Sequence, residues 1–156
     1  MEIEEVYQSS YLRSRLPPAS ESQVAELENR LGISLPDSYR NFIIQYNGAF
    51  FQNLSIKSPD DNYDDGLDAI WGLNSEKPSR EIGSQNLISI FDDNEDPVII
   101  FPIGYTNMGV LLLTFVDFEE ERGQVYGKYP SQDEFVFLGD NIESFFHDYV
   151  TPNFVD

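Results

Sequence analysis

Five aspartates fall within SPDDNYDDGLDAIWG, the stretch from Ser58 to Gly72: Asp60, Asp61, Asp64, Asp65 and Asp68. No basic residue shares the stretch, and its third-last to last residues are Ile70, Trp71 (the single tryptophan of the chain) and Gly72. Carboxylates so spaced could hold a divalent cation, meet a cationic partner or simply face water. A calcium loop of the EF-hand kind needs acids at positions 1, 3 and 5, glycine at 6 and a bidentate glutamate at 12. With Gly66 at position 6, Asp61 and Asp65 fall at 1 and 5, but Tyr63 stands at 3 and Gly72 at 12. Two key ligands are missing. The second acidic run, DDNEDP from Asp92 to Pro97, has no turn glycine at all. The sequence assigns no metal to either run.

Catalytic chemistry finds still less. His147 is the only histidine, which removes every two-histidine metal site. A Ser–His–Asp triad would need it as base, yet no G-x-S-x-G stretch presents a nucleophile. The absence of cysteine removes thiolate zinc, iron–sulfur clusters, disulfides and cysteine nucleophiles together. Gly104 and Gly109 have the spacing of a phosphate loop but no Lys-Ser follows them. A glycosidase pair is defined by the separation and acidity of two carboxyls, properties a sequence does not specify. The reading is of a protein without enzymatic activity, catalytic residues or cofactor.

Charge says more. The chain of 156 residues carries 28 acids against nine Lys and Arg, a net of −19. Residues 1–57 hold seven acids and five bases, residues 58–96 eleven and two, and residues 97–156 ten and two. Such a surface repels nucleic acid and anionic membranes and attracts basic proteins. No apolar run approaches the roughly 18 residues of a membrane span. The first residues, MEIEEVYQSS, are acidic where an export signal is basic. With the missing cysteines, these features point to the cytoplasm. The length suits one domain over 1–156, with aromatic supply enough (12 Phe, 9 Tyr) for a core without metal or disulfide.

The elements that must carry these residues follow from periodicity. Ile3, Val6, Tyr7 and Tyr11 predict a helix over about 2–12, broken by LPPAS at 16–20. Ser20 and Gln23 form a capping box before Val24, Leu27 and Leu31, and Gly32 offers a left-handed C-terminal cap. Pro36 suits the first position of the next helix, whose apolar face is Tyr39, Phe42, Ile43 and Tyr46, and Asn47-Gly48 stops it. Strands are predicted near 50–56, 68–73, 87–91, 98–104, 110–117, 123–129 and 134–138. VIIFPIG and GVLLLTFVDF lack alternation, as strands buried on both faces would, and Pro102 implies a bulge or an edge. Glu119, Glu120 and Glu121 read as the polar tip of a hairpin. Asp140 and Glu143 repeat the capping-box pattern ahead of a last helix carrying Ile142, Phe145, Phe146, Tyr149 and Val150, with His147 on its solvent flank. The order is α+β: N-terminal helices and a C-terminal helix packed on a largely antiparallel β-sheet.

The segment PASESQVAELENRLGISLPDSYRNFIIQYNG, Pro18 to Gly48, resembles the opening signature of the SUKH superfamily, the Smi/Knr-type domain. The residues that carry the resemblance are Ser20, Leu31-Gly32, Leu35-Pro36, Tyr39, Phe42 and Asn47-Gly48. Later features fit in order: Ile70-Trp71-Gly72-Leu73, Pro102-Ile103-Gly104, Gly123-Gln124-Val125-Tyr126 and the helix from Ile142 to Val150. The resemblance spans about 18–150. It departs from the family pattern at GYTNMGVLLL, where a glycine-rich turn and a cysteine are common, and in the acidic insert at 58–68. It implies a SUKH-like α+β fold without catalytic residues. It also implies either an immunity protein that neutralises a toxin, many such toxins being nucleases or deaminases, or a regulatory scaffold like the fungal relatives.

Together these give the functional expectation: a cytoplasmic, stoichiometric inhibitor of a basic protein toxin, most simply a monomer. The expected contact surface is Asp60, Asp61, Tyr63, Asp64, Asp65 and Asp68, supported by Asp92, Asp93, Glu95 and Asp96. Trp71 is either core or an interface anchor.

Overall fold

The computed structural model describes residues 1–57, 64–73, 88–91, 97–116, 122–130 and 134–153. Its elements run α1 (Ile3–Tyr7), β1 (Leu12–Arg15), α2 (Glu21–Leu31), α3 (Asp37–Gln45), β2 (Ala49–Phe51), β3 (Leu54–Lys57), β4 (Asp64–Ile70), β5 (Ile88–Phe91), β6 (Pro97–Thr106), β7 (Leu111–Phe115), β8 (Val125–Lys128), β9 (Phe135–Phe137), α4 (Ile142–Tyr149) and β10 (Val150–Pro152). The fold is α+β, as the element order predicts.

The strand pairs are antiparallel and the main path is β1-β2-β4-β6-β7-β8-β9. β5 shares one edge of β6 with β4, and β3 links β4 to β10. β6 therefore sits at the centre, and its two faces serve two apolar clusters. Phe101 and Ile103 join the larger one, built with α1–α4 around Tyr39, Phe42, Phe145 and Phe146. Val98 and Ile100 face the other way, with Leu113 and Phe115. Burial on both faces is why β6 and β7 show no polar alternation. Pro102 has no N–H for the ladder, and the β6–β7 register shifts between Pro102 and Gly104. That is the bulge the proline implied.

The helix ends follow local chemistry. Ser20 accepts from the Gln23 backbone N–H and the Gln23 side chain accepts from Ser20, so the capping box is made. Gly32 closes α2 at φ 69°. Pro36 precedes α3 as its N-cap, at ψ 140°, instead of occupying the first helical position. α4 is capped by Asn141, which accepts from Ser144 N at 2.9 Å, and not by Asp140. The register of the capping pattern is one residue later than predicted.

Three larger departures bear on the surface. The first helix ends at Tyr7, because the Ser9 hydroxyl donates to Val6 O and accepts from Tyr11 N. That turn frees Leu12–Arg15 to form β1, an edge strand on β2 that the sequence reading missed. The strand predicted at 50–56 is two strands, split at Asn53 with φ 57°. β4 begins at Asp64 and stops at Ile70, pairing Asp64 with Lys57 and Asp65 with Ile56. Asp64, Asp65 and Asp68 are thus strand residues and not part of a solvated loop.

Candidate protein-binding surface

Of the residues singled out, Asp60, Asp61, Tyr63, Asp92, Asp93, Glu95 and Asp96 lie outside the described residues. The strands that carry them fix where each run attaches. Residues 58–63 leave from Lys57 and rejoin at Asp64, at the end of the sheet where Leu67 faces Thr106. Residues 92–96 leave from Phe91 and rejoin at Pro97, the opposite end of β6. Nine residue steps at about 3.3 Å separate Pro97 from Thr106, the two ends of β6, by roughly 30 Å. Residues 117–121, with Glu119 to Glu121, connect Val116 and Arg122 at that second end.

At the first end, β4 meets the β6–β7 turn. Asp65 is buried, and its Oδ1 accepts from Met108 N at 3.0 Å. Among the described residues its Oδ2 has no hydrogen-bond partner. Asn107 N donates to Gly66 O at 2.8 Å, and the Asn107 side chain lies over Gly66 where a Cβ would collide with it. The Thr106 hydroxyl accepts from Val110 N, and Gly109 at φ 85° completes the turn. These bonds hold Met108 outward, 55% exposed, the most exposed large apolar side chain among the described residues. The sequence reading missed it, since a lone methionine in a turn carries no periodic signal. Asp65 itself is unavailable as a contact residue. Its carboxylate is consumed beneath the turn, where it positions Met108.

Asp68 is partly exposed, 4.0 Å from Arg13 on β1. Arg13 in turn lies over the Phe50 ring, 5.3 Å from its centre. Part of the charge at Asp68 is thereby balanced within the chain.

Trp71 is core. It is 7% exposed, packs 5.8 Å from the Tyr105 ring and donates its backbone N–H to Ile103 O. A side chain so enclosed is no surface anchor, which corrects that half of the expectation. The enclosure comes from a lock around Asn47. With φ 63° Asn47 ends α3 and turns its buried amide across to the residues after β4. Its Nδ2 donates to Pro17 O at 2.6 Å and Leu73 O at 3.2 Å, while Oδ1 accepts from Gly48 N and Leu73 N, both at 2.9 Å. Gly48 and Gly72 meet backbone to backbone, where a Cβ on either would fall within 2.4 Å of the other's chain. Tyr7 joins the lock by donating to Asn47 O at 2.5 Å. Burial raises the Tyr7 phenol well above its ordinary range, an effect partly opposed by Arg15 over its ring, and burial raises Tyr39 likewise.

A second tie went unread. The Arg122 guanidinium donates to Val116 O, to Ser34 O at 2.9 Å and to Leu35 O at 3.0 Å, fastening the α2–α3 connection to the base of the β7–β8 hairpin. His147 is exposed as expected and contacts Glu2. No group of His, Asp and Glu that could hold a metal occurs among the described residues.

Asn47-Gly48 and Trp71-Gly72-Leu73, far apart in sequence and joined in one lock, are the pieces that carried the sequence resemblance. The SMI1/KNR4 family (SUKH-1) matches residues 18–148. The chain belongs to the SMI1/KNR4 family (SUKH-1). A relative, the uncharacterized protein YnaB of Bacillus subtilis (strain 168), is 24% identical over 97 residues, covering 52% of this chain and 67% of YnaB. No solved structure matches. Family membership supports a protein-binding role of the general immunity-protein kind. No helix among the described residues is long and apolar enough to cross a membrane.

Proposed function

We propose that this SUKH-1 protein is an immunity protein that neutralises a basic toxin, of nuclease or deaminase type, by one-to-one binding and without catalysis. The observation that carries this reading is the net charge of −19 on a chain of this family, most of it beyond residue 57. A toxin that acts on a polyanion lines its cleft with Lys and Arg. Carboxylates presented to that cleft occupy the same field as the substrate. One pair at 4 Å in water contributes only about 1 kcal/mol, so steering by the cluster matters more than any single contact. Steered association reaches ~10⁸–10⁹ M⁻¹s⁻¹ at low salt, against ~10⁵–10⁶ for neutral partners.

The proposed contact residues are Asp60, Asp61, Tyr63, Asp64 and Asp68, with Asp92, Asp93, Glu95 and Asp96 in support, and the exposed Met108 is the proposed apolar anchor.

The test is to express the open reading frame adjacent to this gene with and without this protein. Growth arrest relieved by co-expression, and weakened when Asp60, Asp61 and Asp64 become Asn, supports both function and surface. A harmless neighbour, or a toxic one without rescue, counts against immunity and favours a scaffold with several weak partners.

A further inference from the structure

The two edges of the long sheet path are protected differently. β1 carries Arg13 and Arg15, held over the Phe50 and Tyr7 rings, and charged side chains on an edge strand discourage pairing with another chain. β9, at the other end, is Phe135-Val136-Phe137 and has no charge of its own. Among the described residues it pairs with β8 alone. Leu138 N donates to Val125 O at 2.8 Å. Hydrogen-bonded and open positions alternate along an antiparallel pair, so Val136 is bonded to Gly127 while Phe135 and Phe137 turn their N–H and C=O groups outward.

The side chains point the same way. Phe137 is 39% exposed and meets the Tyr126 ring edge-on at 5.7 Å. Tyr126 meets Phe115 at 4.8 Å, and Phe115 meets Phe135 at 6.4 Å. An aromatic row thus runs from the second apolar cluster to the open edge, with its outermost ring in water. Lys128, paired in register with Phe135, is one strand further in.

Charge selects the occupant. Asp133 and Glu134 precede the strand in sequence and Asp140 follows it, with Glu134 and Asp140 exposed. A second copy of this chain would bring these acids against their duplicates, on molecules that each carry −19. An extended segment bearing Lys and Arg meets the opposite condition: its backbone completes the outward groups, its cations meet the flanking carboxylates, and its side chains cover Phe137.

We infer that β9 is a strand-addition site for a basic extended segment of a partner protein. This rests on the proposed function only in that the partner is basic.

A short capped peptide alternating Val with Lys and Arg is the probe, titrated into the ¹⁵N-labelled full chain. Shifts confined to the amides of 134–138, with slowed exchange at Phe135 and Phe137, are expected. A peptide with Asp and Glu in place of the cations should not bind. Phe137→Lys should weaken binding by about tenfold, on the order of 1.4 kcal/mol. Glu134→Lys with Asp140→Lys changes only exposed side chains and should reverse the preference between the two peptides. Shifts centred elsewhere, equal binding of both peptides, or concentration-dependent self-association through these same amides overturns the inference. Because the titration needs no toxin, its failure leaves the neutralisation reading intact, and failed rescue leaves the edge intact.

Discussion

Replacing Asn47 with alanine removes four hydrogen bonds to three residues outside its own position: Pro17, Gly48 and Leu73. Two of the deserted groups, Gly48 N and Leu73 N, are donors in a buried junction closed by the contact of Gly48 with Gly72. Leaving a buried donor unsatisfied costs about 1–3 kcal/mol, so the pair accounts for about 3 kcal/mol. Alanine at φ 63° adds about 1 kcal/mol of left-handed strain. The expected loss is about 4 kcal/mol, a large part of the ~5–15 kcal/mol that holds a domain folded. Asn47→Gly forfeits the same bonds without the strain and should lose about 3 kcal/mol. Asn47→Asp keeps the two acceptor bonds but turns negative oxygen toward the carbonyls of Pro17 and Leu73, so its damage should ease as pH falls and the carboxyl protonates. Urea unfolding followed by Trp71 fluorescence reads all three, since the indole lies one residue from the lock. At a slope of about 2 kcal/mol per molar the alanine midpoint should drop by about 2 M. A loss below about 1 kcal/mol for alanine, or a glycine variant as damaged as alanine, would refute this account.

Three further outcomes follow from the same contacts. Tyr7 and Tyr39 are raised by burial, so the native state holds their protons above the ordinary phenol range while the unfolded chain releases them; their contribution to stability should be full below pH ~10 and be lost above it, by up to ~1.4 kcal/mol per pH unit per phenol. Tyr7→Phe should flatten that fall in alkaline urea titrations, and an unchanged slope would show that Tyr7 is not its source. Arg122→Ala frees the carbonyls of Val116, Ser34 and Leu35 and should cost about 2–3 kcal/mol by thermal unfolding, with Arg122→Lys a poor substitute because an ammonium cannot reach all three in one plane. Moderate NaCl should raise the melting temperature by screening a net charge of −19, and a flat response between low and physiological salt would mean the carboxylates are compensated within the fold.

Local chemistry was legible in the sequence wherever a residue acts on its chain neighbours. The Ser20–Gln23 capping box, the turn at Gly32, the bulge at Pro102 and the apolar faces of α3 and α4 depend on contacts a few residues away, and each follows from residue type and spacing. The lack of alternation in β6 and β7 likewise reported two buried faces, which two clusters fill. The large negative charge is a property of composition alone. Tertiary structure decided the rest, because pairing partners and distances are set by chain segments far apart in sequence. β1 exists because Leu12–Arg15 finds β2, and β4 reaches back to Asp64 because β3 offers Lys57 and Ile56 as partners. Asp65 became a buried support and Met108 an exposed knob through one bond across 43 residues. Trp71 was withdrawn from the surface beside the lock of Asn47 with Leu73, a contact made across 26 residues.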